Sequence, residues 1–223
     1  MEWQEYPDRE LQAMAVADAL ADALRSCLDT HDTASFCVPG GRTPGEVFSM
    51  LAAVDLDWSR VHVFLNDERW VPEDDPRSNT GLLRRTLLTD RAAAAQLIPL
   101  VSDDPTPEEG IPHLIPALEA EMPISVLLLG MGEDGHTASL FPGGDRLDEA
   151  LAPDAPLLLP MRAAGASEPR VTLSARALSE AMETHLLIAG PEKREALERA
   201  RRLPPREAPV AAFLGEAVVH WAP

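Results

Sequence analysis

Ile124-Ser125-Val126-Leu127-Leu128-Leu129-Gly130-Met131-Gly132-Glu133-Asp134-Gly135-His136-Thr137-Ala138-Ser139 is the stretch that decides the fold class. Its first six residues form a short apolar run of strand length, the pattern of a strand buried on both faces in a parallel sheet. Three glycines then permit a tight turn and leave the backbone bare. Asp134 and His136 stand two residues apart on that turn. In an open α/β sheet, chemistry sits in the crevice beyond the carboxyl ends of the strands, so His136 falls where a catalytic base belongs. A Gly-rich turn carrying a solvated histidine gives the same local pattern, and the rest of the chain must decide between the two.

The chain has 223 residues, of which 45% are hydrophobic, enough for one α/β domain spanning 1–223 with a sizeable core. No apolar run approaches the roughly 18–20 residues of a membrane span. The acidic start Met1-Glu2-Trp3-Gln4-Glu5 lacks a signal-peptide pattern. Cys27 and Cys37, both in apolar contexts, read as core fillers in a reducing compartment, and the expected location is the cytoplasm. The net charge of −18 argues against nucleic acid and anionic membranes as partners. A protein so acidic must gather cations locally to hold an anionic ligand. All but one of its 19 basic residues are arginines, the exception being Lys193.

Outward from the central turn, strands and helices alternate. A long amphipathic helix is expected over 8–30, with Leu11, Met14, Ala17, Ala21, Leu24 and Leu28 on its apolar face. Strands are expected at 34–38, 61–65, 96–100, 157–159, 170–173 and 184–189, with helices after Pro44, after Ser78-Asn79-Thr80, up to about Leu118, after Ser174 and over 191–202. Residues 103–112 and 142–156 read as loops, and 209–214 with 217–221 as a closing strand pair. This alternation predicts a doubly wound, mostly parallel sheet with helices on both faces, a Rossmann-like α/β fold.

Three loops after three strands are chemically loaded. Pro39-Gly40-Gly41-Arg42-Thr43 opens a helix, and bare N–H groups at a helix start favour an anion. It has neither Walker A spacing nor the GxGxxG spacing of dinucleotide turns. Asn66-Asp67-Glu68-Arg69 clusters two acids and a base at a strand end, a pattern shared with salt-bridged surface turns. The third loop is the Asp134-Gly135-His136 turn. No Cys/His spacing suggests zinc or another metal, and no Gly-x-Ser-x-Gly elbow offers a serine nucleophile. Arg170 opens a strand. Lys193 lies in the first turn of a helix, where the dipole disfavours a cation unless an anion is shared there. Of the remaining histidines, His31, His113, His185 and His220 read as surface or strand-end residues and His62 as packed within a strand.

In order along the chain, Gly40-Gly41-Arg42-Thr43-Pro44, Asn66-Asp67-Glu68-Arg69-Trp70-Val71-Pro72, Ser78-Asn79, Gly130 to Pro142, Arg170-Val171-Thr172-Leu173-Ser174 and Gly190-Pro191-Glu192-Lys193 resemble the 6-phosphogluconolactonase family. The resemblance spans residues 36 to about 200. It implies a cofactor-independent hydrolase acting on 6-phospho-D-glucono-1,5-lactone in the oxidative pentose phosphate pathway, a small-molecule phosphosugar enzyme that is a monomer or weak homodimer. It further implies His136 as the general base, with Asp134 or Asp67 orienting the imidazole or binding sugar hydroxyls. Arg69 is implied near the lactone carbonyl, and Gly40, Gly41, Arg42, Thr43, Arg170 and Lys193 around the 6-phosphate. Pro39 and Arg42 stand where the family commonly has serines, so Arg42 either supplies charge or points to solvent. The related glucosamine-6-phosphate deaminases share the Gly-Gly-Thr-Pro and Asp-Gly-His turns but place a glutamate after the histidine. The run Thr137-Ala138-Ser139-Leu140-Phe141-Pro142 has no acid, which favours the lactonase over a deaminase/isomerase. A non-catalytic sugar-phosphate sensor is the other alternative.

Overall fold

A computed structural model describes residues 1–41, 43–164 and 167–223. Its strands are β1 (Glu2–Glu5), β2 (Ala34–Val38), β3 (Val61–Leu65), β4 (Asp67–Arg69), β5 (Gln96–Leu97), β6 (Val126–Leu129), β7 (Leu158–Met161), β8 (Arg170–Leu173), β9 (Glu183–Ala189) and β10 (Val218–Ala222). Its helices are α1 (Arg9–Leu28), α2 (Pro44–Ala52), α3 (Asn79–Thr86), α4 (Pro107–Glu119), α5 (Leu147–Ala150), α6 (Ala175–Ser179) and α7 (Pro191–Ala200). Among the described residues, seven strands form one sheet in the order β1-β10-β9-β6-β2-β3-β5, every pairing parallel. Every residue of β2 and β6 is buried, so both faces of the sheet centre are covered, as their unbroken apolar sequences require. The strand order reverses between β2 and β6. Their carboxyl ends open into Pro39-Gly40-Gly41 and Gly130-Met131-Gly132, the crevice where ligands sit in such sheets.

A second, antiparallel sheet runs β4-β8-β7. Asn66 joins the two: its N–H donates to the Val38 carbonyl at 2.9 Å, and its own carbonyl accepts from Leu173 N–H at 3.0 Å. The expected loop over 66–69 is therefore a strand from Asp67 onward, with Asp67 and Glu68 buried. Three residues carry no periodicity, and β4 is a strand only because β8, a hundred residues later, pairs with it.

Other expectations are corrected. Leu11 and Met14 are 46% and 48% exposed, because α1 turns Val16, Leu20 and Leu24 inward. The segment 209–213 is a 3-10 turn, and β10 pairs with β9 and with the unanticipated β1. Helix α4 begins at Pro107, inside the expected loop; Thr106 caps it, accepting from Glu109 N–H, and Pro107 suits a first turn whose N–H groups need no partner within the helix. Helix α3 ends at Thr86, short of Leu87 and Leu88, β5 is only two residues long, and α5 interrupts the expected loop at 142–156. His185 and His220 are not surface residues: both are 2% exposed, on adjacent strands, with 3.0 Å between His185 Nδ1 and His220 Nε2. Cys27 and Cys37 are buried, as expected. Among the described residues, no helix is long and apolar enough to cross a membrane.

Candidate active site

The crevice at the strand-order reversal is a cleft of about 290 Å³. It is walled by Pro39, Gly40, Gly41 and Thr43, the Gly130–Ala138 turn, Asp67 and Arg69 of β4, Arg170 of β8, the end of β9, and Lys193 of α7. Gly40, Gly41, Thr43, Asp67, Arg69, His136, Arg170 and Lys193, singled out from sequence, thus converge. Arg42 lies outside the described residues. Asp134 does not line the cleft and stands behind His136.

The His136 turn is built by its glycines. Gly135 takes φ +82°, a backbone state that suits glycine. The turn brings the Asp134 carboxylate to His136, with Oδ1 2.6 Å from Nδ1 and 3.1 Å from the His136 backbone N–H. A β-carbon on Gly132 would overlap both His136 Nδ1 and Asp134 Oδ1, so the pair occupies the space a side chain would take. Partial burial raises the Asp134 pKa, but the backbone N–H and the imidazole of His136 outweigh it and hold the carboxyl below its usual range. With Nδ1 committed to Asp134, Nε2 is the nitrogen left for a ligand. The His136 ring lies against Phe141, 4.7 Å between centroids.

Asp67, which the sequence leaves open as a partner for the imidazole, faces elsewhere. Its Oδ2 accepts from Ser139 Oγ and lies 3.7 Å from an Arg170 guanidinium nitrogen. Arg170 is the cross-strand partner of Arg69 and stacks over Phe141 at 5.3 Å. Burial lowers the Arg170 pKa, Asp67 opposes that shift, and the like charge of Arg69 adds to it. Arg69 Nε and Arg170 Nε are buried with no partner among the described residues, donors awaiting an acceptor. Lys193 Nζ donates to the Met131 carbonyl at 2.9 Å, which ties α7 to the Gly130–Gly132 turn and holds the ammonium at the cleft wall. It does not pair with Glu192 or Glu195.

Two residues for which the sequence offers no role in the site are essential to its shape. Glu68 is 1% exposed, and its carboxylate accepts from the N–H groups of Arg69, Asn79 and Thr80 and from the hydroxyls of Ser78 and Thr80. Its charge sits on the start of α3, where the dipole favours it. Asn79 lines the cleft, and its side chain fills the space a β-carbon on Gly40 would need. The sequence signals toward them are the acid–base cluster at 66–69, which contains Glu68, and the Ser78 cap beside Asn79.

A family model described as glucosamine-6-phosphate isomerases/6-phosphogluconolactonase matches residues 7–221. The chain belongs to this family. A 6-phosphogluconolactonase of Mesorhizobium japonicum is 40% identical over 227 aligned positions, covering 99% of this chain and 95% of the relative. That of Rhizobium meliloti is 42% identical, with 94% and 95% covered. Among solved structures, a 6-phosphogluconolactonase from Shewanella baltica superposes with a TM-score of 0.96 at 31% identity, covering 100% of this chain and 98% of that one. The Rossmann-like sheet is thus shared with that structure.

Proposed function

We propose that this family member hydrolyses 6-phospho-D-glucono-1,5-lactone to 6-phospho-D-gluconate, the lactone-opening step of the oxidative pentose phosphate pathway. The supporting observation is the Asp134–His136 pair, 2.6 Å apart, at a cleft whose described residues also include three cationic side chains and a bare Gly-Gly turn. His136 Nε2 takes a proton from water as the water oxygen adds to the lactone carbonyl carbon. Asp134 fixes the ring and offsets the charge it gains. The carbonyl oxygen becomes an oxyanion beside Arg69. Collapse expels the ring oxygen, which takes the proton back from His136 and leaves as a hydroxyl. The new carboxyl group then ionises.

The N–H groups at Gly40 and Gly41, Thr43 at the start of α2, Arg170 and Lys193 hold the 6-phosphate, so binding energy remote from the carbonyl positions it for attack. The net charge of −18 makes this local gathering of cations necessary for a dianionic substrate. The lactonase reading is preferred to a deaminase because the run from Thr137 to Pro142 holds no acid. Ser139 within that run is engaged with Asp67, and no carboxylate other than Asp134 meets His136 among the described residues.

The test is the rate of lactone loss above spontaneous opening, with freshly made phosphorylated and unphosphorylated gluconolactone. Lys193→Ala should lower kcat/KM on the phosphorylated lactone by about 1.5–3 kcal/mol in transition-state terms and leave the other substrate nearly unchanged. No acceleration over spontaneous opening would refute the proposed function. The expected setting is the cytoplasm.

A further inference from the structure

Asn66 is fully buried, at 0% exposure, yet forms part of the cleft floor. Its backbone is fixed on both sides by the bonds that join the two sheets. Its side chain reaches across the end of β2 to β6, where Nδ2 donates to the Leu128 carbonyl at 3.3 Å. That contact sets the orientation of the amide, because a carbonyl turned toward another carbonyl repels it. The end left over is Oδ1, which is buried and has no hydrogen-bond partner among the described residues. A buried acceptor without a donor is destabilising and rare, and here it belongs to a residue that lines the cleft.

We propose that Asn66 Oδ1 accepts a hydrogen bond from one secondary hydroxyl of the bound sugar phosphate, at C2, C3 or C4, and so selects for that hydroxyl. The proposal rests on the phosphosugar-lactone reading of the cleft. The phosphate and the carbonyl oxygen are acceptors, which Oδ1 repels and the cations attract. The groups of such a ligand able to donate to a neutral acceptor are its hydroxyls. Neighbouring Asp67 already has Ser139 and Arg170 as partners, so Asn66 supplies an acceptor that is neutral and otherwise unengaged among the described residues. A ligand lacking that hydroxyl leaves Oδ1 unpaired, and sites built this way discriminate strongly against the missing group.

The test is calorimetric binding of 6-phosphogluconate and its 2-, 3- and 4-deoxy analogues to the wild-type protein, to Asn66→Ala and to Asn66→Leu. The leucine variant keeps the floor filled should the alanine variant fail to fold, and the wild-type series needs neither. One deoxy analogue should bind the wild type at least about tenfold more weakly than the parent, and the Asn66 variants should bind that analogue and the parent within about twofold of each other. Equal binding of all analogues by the wild type, or one common loss across every ligand in the variants, would overturn the proposal. If this pattern appears in a protein that opens no lactone, the functional reading fails and the role of Asn66 stands. If the wild type binds none of the four ligands, both fail.

Discussion

Gly132 has no side chain because His136 and Asp134 occupy the volume one would fill. The crowding makes Gly132→Ala a local probe of the pair: the β-carbon must push the imidazole off its carboxylate while the cationic wall stays in place. Misplacing a catalytic group by about 1 Å can lower a rate on the order of a hundredfold. Gly132→Ala should therefore lower kcat by roughly 10- to 100-fold with KM within about threefold, measured by steady-state lactone hydrolysis. A wild-type kcat would mean that the pair's geometry is immaterial. At this scale the sequence is most informative. The Gly130–Ser139 turn is specified by residues within ten positions of one another, so its glycines, acid and histidine can be read together. The choice between Asp134 and Asp67 cannot, because it depends on Asp67 being drawn to Ser139 and Arg170 from other parts of the chain.

Among the elements, β4 shows where local reading stops. Asp67-Glu68-Arg69 resembles an exposed charged turn, yet it pairs with β8, Glu68 is buried, and its carboxylate takes five donors from Arg69 and the start of α3. Glu68→Gln keeps the shape but removes the charge and turns one acceptor into a donor facing donors. We expect a loss of about 2–4 kcal/mol in urea unfolding, with a fall in kcat/KM as Arg69 and the start of α3 loosen. Unchanged stability would show that the charge contributes nothing to the α3 start. The same dependence on distant partners explains the other misreadings. An alanine-rich helix such as α1 offers two overlapping stripes, so periodicity alone admits Leu11 and Met14, and only packing chooses Val16 and Leu20. The strands β2, β3, β6 and β8 are legible from their apolar runs, whereas β1 depends on β10 and carries no such run.

At the scale of the whole molecule, the sheet carries a chain of polar groups outside the cleft lining, with two buried histidines at its middle. Tyr6 OH lies 2.8 Å from His220 Nδ1, His220 Nε2 meets His185 Nδ1, and His185 Nε2 lies 3.0 Å from Glu183. Burial, with the charge of His185 added, pushes the His220 pKa down to about 3. Burial also lowers that of His185, with Glu183 opposing it. Both rings take a proton less readily in the fold than in the unfolded chain, where the usual value is about 6.5. The unfolded state thus binds more protons below about pH 6.5, and stability falls as pH drops from there toward 3, by up to about 1.4 kcal/mol per pH unit for His220, with His185 acting in the same direction. Unfolding free energy should be flat from about pH 7 to 8 and decline between about pH 6.5 and 5, and His220→Gln should flatten that decline. An equal decline in the variant would assign it to other groups.

His136 carries the chemistry only if its removal stops turnover without loosening the pocket. The direct measurement is kcat of His136→Ala on freshly prepared 6-phosphogluconolactone, corrected for spontaneous opening, together with its affinity for 6-phosphogluconate. A fall in kcat of roughly 10²–10⁴-fold with affinity nearly unchanged is the predicted result. A variant that keeps more than about a third of the wild-type kcat would contradict it, since general-base catalysis supplies far more than a threefold effect.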